Sequence, residues 1–190
     1  MNSRERCLGT LAGDPVDRVP VFPLLMFLAA DRARMSYRTY ATEGRRLAEA
    51  QVLMTEMFGI DAVTSCSDAF RVSADFGGKM VYPENGTPFL EEPIVSGEAD
   101  LERIVMPDVS SRKSRMRDRT EATGEMVKAV GDERLVLGWV DMPFAGACSV
   151  CGVSSFMMML CDRPALAHEI LERLTPIVVE FALMQLETGA

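Results

Sequence analysis

Residues 135–152, LVLGWVDMPFAGACSVCG, are the stretch that decides the fold prediction. The run 135–140 is apolar and has the length and β-branched content of a buried strand. Asp141, Pro143 and Gly146 then break the run, and small residues that can begin a helix follow. In parallel α/β proteins, active sites are built at the carboxyl ends of such strands. We therefore expect chemistry in the loop that follows this strand.

Hydrophobic periodicity and turn residues divide the rest of the chain into alternating helices and strands, which predicts a parallel α/β fold. No linker or repeat divides residues 1–190, so we expect a single domain. The predicted elements are helix 2–12, strand 19–22, a helix capped by Thr42 and stopped by Gly59, strand 60–65, a hairpin within 71–94, a short helix 98–104, a helix ending near Gly131, strand 135–140 and a long helix with Pro164 in its first turn.

The predicted sheet has too few strands to close on itself. Three parallel strands leave open edges, and a complete parallel barrel usually needs about 250 residues. The chain has 190 residues and stops at a helix-ending signal, Thr188-Gly189-Ala190, where another strand should begin. We therefore expect part of a larger fold, or a chain that needs a partner to complete its sheet.

Composition excludes several classes of function. A net charge of −8 argues against nucleic-acid binding as the main role, and we interpret the basic run 112–119 as a solvated helix start rather than a phosphate-binding patch. No signal-peptide pattern is present, and the apolar run 21–30 is about half the length that spans a bilayer. We expect a cytoplasmic protein without a membrane segment. Its five cysteines are an odd number, which favours free thiols.

Few residues stand out as candidates for chemistry. Asp68 follows the second predicted strand, where a carboxylate either binds cationic or N–H groups of a ligand or caps a turn; the residues alone favour neither. Cys148 and Cys151 form a CxxC near a helix start, which we interpret as buried thiols. The lone His168 and the other cysteines have no metal-like spacing, so we predict no metal site in this chain.

Several short motifs follow one another along the whole chain. They are Asp17-Arg18-Val19-Pro20-Val21, Asp61-Ala62, Ser67-Asp68 with Gly77 nine residues after the aspartate, Gly86 with Pro88 and Pro93, Asp100-Leu101, Pro143-Phe144 with Ala147 and Gly152, and the E-x-G-A of 187–190. In this order they resemble the uroporphyrinogen decarboxylase superfamily. That superfamily includes the decarboxylases of tetrapyrrole synthesis and the cobalamin-dependent methyltransferases.

The resemblance implies a fold and a site. The family fold is a (β/α)8 TIM barrel, so this chain would be its N-terminal part and incomplete by itself. Asp68 lies at the position of the decarboxylases' essential aspartate, whose role is similar to that of a pyrrole N–H acceptor. The resemblance therefore predicts Asp68 as the catalytic residue, and Pro143, Phe144 and Ser149 as substrate-binding residues of the loop after the third strand.

Two departures from the decarboxylase pattern change the expected activity. The sequence 24–29, LLMFLA, replaces a motif whose arginines hold substrate carboxylates, and Ser149 stands where a tyrosine is expected. A substrate with many carboxylates needs such cations. The chain therefore resembles the methyltransferase branch more closely, with methyl transfer between a corrinoid protein and a thiol or similar acceptor as its expected function.

The resemblance also implies cofactors, partners and alternatives. Corrinoid and zinc are implied for the complete enzyme, with zinc held by His and Cys residues in a second half that this chain lacks. The expected partner is a corrinoid protein or a tetrapyrrole-type small molecule, and homo-oligomer formation stays open. Tetrapyrrole decarboxylation is the alternative within the family. A non-catalytic half-barrel, or a module that binds a corrinoid or tetrapyrrole, is the alternative of another class.

Overall fold

The computed structural model describes residues 1–190. Helices surround a short parallel sheet. The elements in chain order are α1 (Ser3–Ala12), α2 (Met26–Arg32), α3 (Tyr37–Thr42), α4 (Gly44–Phe58), β1 (Ala62–Thr64), α5 (Arg71–Asp75), β2 (Met80–Val81), β3 (Phe89–Leu90), a 3₁₀ helix (Glu98–Arg103), α6 (Arg115–Val130), β4 (Leu135–Leu137), α7 (Pro143–Cys151), α8 (Val153–Asp162) and α9 (Pro164–Leu186).

The sheet at the centre is parallel, as the sequence predicts. Strands β1 and β4 pair with Ala62 opposite Leu135 and Thr64 opposite Leu137. The predicted strand 19–22 forms no regular ladder, and its one backbone bond to the β1 segment runs from the Asp61 N–H to the Val21 carbonyl at 2.9 Å. The prolines at positions 20 and 23 have no N–H to donate, which explains why pairing stops there.

The sheet does not close. Strand β4 pairs with β1 on one side only, and an apolar groove of about 390 Å³ runs along its other side. Apolar side chains supply most of the groove, with Leu11, Leu135, Leu137, Val140, Ala182 and Leu186 among them. The open edge that the sequence predicts is therefore present.

Two groups of buried apolar side chains form the core. One packs α4 and α6 against β1 and β4 and includes Met54, Val63 and Met126. The other lies among α7, α8 and α9 and includes Phe156 and Phe181. The first of these cores includes Val63 of β1 and Val136 of β4, so packing against α4 and α6 positions both strands.

Several local predictions need correction. Helices α2 and α3 were not predicted, and Thr42 ends α3 instead of capping α4. Gly59 does stop α4, in the left-handed region with φ +61°. The hairpin pairs Met80 with Leu90, as expected, but a short helix, α5, precedes it.

The basic run 112–119 is not a solvated helix start throughout. Ser114 caps α6 by accepting the Arg117 N–H at 3.1 Å, which confirms a helix start. Arg115 and Arg119, however, are only 6 % and 0 % exposed, so they face the interior. Both lie on the buried stripe of α6 and not on its solvent face.

No helix by itself is long and apolar enough to cross a membrane. Helices α7 and α8 pass that length and composition test only when taken together, and a bend of 107° separates them.

Candidate active site at the carboxyl ends of the strands

Three segments of the chain meet just beyond the carboxyl end of β1. Met26, at the start of α2, places its sulfur 3.4 Å from the Cys66 thiol. Ser149 on α7 donates its hydroxyl to the Ala69 carbonyl at 2.9 Å. The loops after strands β1 and β4 therefore lie side by side, as expected when the carboxyl ends of parallel strands share one edge.

Asp68 lies in this region but is closed to solvent. Its side chain is 1 % exposed and accepts two N–H groups of Arg115, at 2.9 and 2.7 Å. The Ser67 hydroxyl and the Phe70 N–H also donate to its two oxygens. Burial alone would raise the pKa of Asp68, but the hydrogen bonds and charge of Arg115 outweigh it and hold the pKa well below its usual range. Direct contact with a ligand would require Arg115 to release an oxygen.

Two more buried arginines surround this pair. Arg71 is 1 % exposed and donates to the Asp141 carboxylate at 2.6 Å. Arg119 is fully buried and donates to Asp118, its neighbour in the chain. Four nitrogens of the three guanidinium groups have no acceptor: the Nε of each arginine and the Nη1 of Arg119. Buried donors without partners are uncommon in native proteins, so this region has N–H groups that could still donate a hydrogen bond.

Asp141 is more accessible than Asp68. It follows β4, and its side chain is 19 % exposed. Its Oδ2 accepts a hydrogen bond from Arg71 at 2.6 Å, the only hydrogen bond of this side chain, so its Oδ1 has no donor within the chain. The ion pair joins the loop after β4 to the start of α5, so it bridges the carboxyl ends of the two paired strands.

The three residues predicted to bind substrate lie at the start and along the length of α7. Pro143 occupies the first turn, where its missing N–H costs no hydrogen bond. Phe144 is 45 % exposed and contacts Phe156 edge-on, with ring centroids 5.3 Å apart. Ser149 is tied to the loop after β1. The structure therefore places Ser149 beside the loop of Asp68 and leaves Phe144 at the surface.

The two thiols of the CxxC motif and the histidine show no sign of a reactive centre. Burial raises the pKa of the Cys151 thiol to about 11 and also raises that of Cys148. Such thiols are poor nucleophiles at neutral pH. His168 is exposed on α9, and no three His, Cys, Asp or Glu side chains are grouped so that they could hold a metal ion.

The arginines are the part of the site that the sequence interpretation missed. Arg115, Arg119, Ala122 and Met126 recur at steps of three and four residues, and all four are buried on one stripe of α6. That spacing was the available signal, because a charged residue on an apolar stripe faces the core. Because the run 112–119 is strongly charged as a whole, it was interpreted as exposed and this spacing was overlooked.

Another surface groove lies away from the strand ends. About 520 Å³ in volume, it lies between α4 and α6 and is lined by both apolar and charged side chains, Val52, Leu53, Arg46 and Glu125 among them. These residues belong to the outer helical layer. The groove is therefore separate from the strand ends.

An open parallel sheet with its helices, and a polar cluster at the carboxyl ends of the strands, define this chain as part of an α/β-barrel protein. The model of the family "Uroporphyrinogen decarboxylase (URO-D)" matches residues 2–190. The chain belongs to this family.

Curated relatives agree with that assignment. The chain is 25% identical to a uroporphyrinogen decarboxylase of Chloroherpeton thalassium over 96% of its own length and 54% of the relative. It is 27% identical to one of Hydrogenovibrio crunogenus, over 98% and 55% of the two chains. The chain thus spans about half the length of the curated relatives it matches.

A solved structure shows the fold. A methyltransferase from Methanosarcina mazei superimposes with a TM-score of 0.86 at 21% identity, covering 100% of this chain and 57% of the other. The predicted fold, an α/β chain forming the N-terminal part of a TIM barrel that is incomplete here, is confirmed.

Proposed function

We propose that this chain is the N-terminal part of a corrinoid-dependent methyltransferase, which moves a methyl group between a corrinoid protein and a thiol or similar acceptor. One observation carries the proposal: all three buried arginines near the strand ends are already bound to aspartates of the chain itself. A substrate with many carboxylates would need unpaired cations at this edge.

The segment after the predicted first strand supports the same choice. Leu24, Phe27 and Leu28 are exposed there, and Phe27 stacks on Tyr37 with ring centroids 3.8 Å apart. Tyr37 in turn donates its hydroxyl to the Ser67 carbonyl, next to Asp68. This apolar surface therefore adjoins the strand ends, and it suits the face of a large macrocycle better than a ring of carboxylates.

The methyltransferase of Methanosarcina mazei supports the branch, and the names of the sequence relatives support an alternative. Those relatives are uroporphyrinogen decarboxylases, so decarboxylation of a tetrapyrrole is the second candidate. Within either function, the catalytic role of Asp68 stays a prediction, as do the substrate contacts of Pro143, Phe144 and Ser149. A cytoplasmic location is part of the proposal.

Zinc does not fit the residues of this chain. The family resemblance implies zinc in the complete enzyme, yet no group of three His, Cys, Asp or Glu side chains is arranged to bind a metal here. The proposal therefore assigns zinc to no residue among 1–190. The corrinoid enters as the bound methyl carrier, and its contacts would come from the apolar surface beside the strand ends.

Absorbance titration of the full chain tests the proposal. Methylcobalamin is one probe, and uroporphyrin, a stable analogue of a porphyrinogen, is the other. We expect methylcobalamin to bind and uroporphyrin to bind weakly or not at all. Binding of uroporphyrin alone would favour the decarboxylase alternative, and binding of neither would contradict both. Loss of the methylcobalamin spectrum on adding a thiol separates an enzyme from a binding module.

A further inference from the structure

We infer that Asp141 is the carboxylate that meets the ligand at this site, and that Arg71 positions it. The inference rests on the proposed function, because it names the residue that would receive the macrocycle. It differs from the sequence prediction, which gave the role of N–H acceptor to Asp68. The carboxylate oxygens near the strand ends differ in whether a donor of the chain already occupies them.

Four aspartates lie around the buried arginines, and in three of them each carboxylate oxygen already accepts at least one hydrogen bond from the chain. Asp68 accepts four hydrogen bonds and is 1 % exposed. Asp75 accepts the hydroxyl and two N–H groups at the start of α6. Asp118 accepts one backbone N–H on Oδ1 and a guanidinium N–H on Oδ2. Asp141 alone keeps an oxygen, Oδ1, without a protein donor, and it is partly exposed.

The direction of approach follows from the space around Asp141. The cavity that Asp141 lines is only about 10 Å³, and most of its other lining residues are small or apolar, such as Ala69, Gly146 and Val150. That volume holds roughly one water molecule, so no organic group can enter from that side. A ligand reaches the free oxygen of Asp141 only from the solvent side of the strand ends.

The chemistry of the ligand follows from the acceptor. An ionised carboxylate offers only lone pairs, so its partner must present an N–H or O–H donor. Since Arg71 already neutralises the charge of Asp141, a neutral donor suits the site better than a free cation. Both candidate macrocycles carry neutral N–H donors, the amide side chains of a corrinoid and the pyrrole N–H of a tetrapyrrole.

Arg71 holds the acceptor in place. It is buried and donates to Oδ2 of Asp141 at 2.6 Å, while its Nη1 lies 3.5 Å from the Ser67 hydroxyl. The contact with Asp141 uses a single N–H, so a lysine could replace it in part. A glutamine in its place would remove the ion pair and leave the Asp141 side chain free to rotate.

The experiment titrates the full chain and its variants with methylcobalamin and with uroporphyrin, following visible absorbance. Asp141→Asn is expected to weaken binding about tenfold or more, because a hydrogen bond to a charged acceptor is lost. Asp100→Asn is the matched control: Asp100 is also partly exposed beside an arginine, Arg103 at 3.6 Å, but outside the strand ends. It should bind within about twofold of the wild type, since such surface pairs contribute little.

A double variant covers a failure to fold. Asp141→Asn leaves the buried cation of Arg71 unpaired, which destabilises proteins; combining it with Arg71→Gln removes that charge, and the combined variant should also lose affinity. Among single variants, Arg71→Lys should keep most of the affinity that Arg71→Gln loses. If the two variants have equal melting temperatures, a merely structural role of Arg71 predicts equal affinities instead.

The outcomes separate the two levels of the proposal. Wild-type affinity in Asp141→Asn, or in the double variant, overturns the role of Asp141 and leaves the proposed function standing. A wild-type chain that binds neither probe overturns both. Loss confined to methylcobalamin supports corrin amides as the donors, and loss confined to uroporphyrin supports pyrrole N–H groups.

Discussion

A buried aspartate lies near each end of β1. The two differ in how many of the polar groups around them have hydrogen-bond partners. Asp61, before the strand, accepts five hydrogen bonds at 2.6 to 2.9 Å, from Ser3, Arg6, Arg18 and the Val21 N–H. Its side chain is 0 % exposed, and no polar atom of these partners is left buried without a hydrogen bond. This amino-end cluster ties the N-terminal helix and the segment after it to the strand.

The carboxyl-end cluster around Asp68 is paired less completely. Its aspartate is satisfied, yet four guanidinium nitrogens of Arg71, Arg115 and Arg119 lack acceptors. The two clusters use the same residue types within one strand length of each other. The amino end is therefore built for stability, while the carboxyl end keeps hydrogen-bond donors that no acceptor of the chain uses, the division expected for barrel proteins.

The largest expected effect is at the amino end. Asp61→Asn removes the charge that pairs Arg6 and Arg18, and should lower the free energy of unfolding by about 3–5 kcal/mol. Urea denaturation measures the loss. Asp17→Asn is the control, because Asp17 also pairs with Arg6 but is 48 % exposed. An equal loss of stability in the two variants would contradict the view that the buried Asp61 contributes more to the cluster than the exposed Asp17.

At the carboxyl end, Asp68→Asn should cost about 3 kcal/mol, the lower end of the same range. Arg115 would lose its carboxylate but keep its hydrogen bond to the Ala41 carbonyl at 2.8 Å. The double variant Asp68→Leu with Arg115→Met removes both charges and should recover most of the stability. Urea midpoints of the single and double variants test this. If the double variant is no more stable than the single variant, the ion pair contributes to stability beyond cancelling two buried charges.

Acid should reveal both aspartates. Burial opposes ionisation, but hydrogen bonds from arginines hold the pKa of Asp61 and of Asp68 well below the usual range. A lowered folded-state pKa gives stability that is complete above about pH 4, near the unfolded pKa, and is lost as the pH falls toward the folded value. Below pH 4 the stability of the wild type should fall more steeply than that of Asp68→Asn, by up to about 1.4 kcal/mol per pH unit. Parallel curves between pH 5 and 3 would contradict the low pKa of Asp68.

Sequence patterns predicted the parts of the fold that depend on local chemistry. Gly59 stops α4, and the run 135–140 contains β4, because a left-handed glycine and a β-branched apolar run act within a few residues. The segment 19–22 failed as a strand because its prolines limit pairing. The motif singled out Asp68, whose catalytic role stays a prediction. It did not single out the partner Arg115, since 47 positions separate the two and only the fold brings them together.

The smallest effect is also the most direct test of incomplete pairing. Arg119 is fully buried, burial lowers its pKa, and two of its nitrogens have no acceptor. Arg119→Met removes the cost of burying this charge, while Asp118 keeps the Gly44 N–H at 2.7 Å and contact with solvent. The free energy of unfolding should stay within about 1 kcal/mol of the wild type or rise. Arg6→Met, which breaks the fully paired cluster, should instead lower it clearly. If urea midpoints fall equally in the two variants, Arg119 is as well paired as Arg6, and the two ends of β1 are alike.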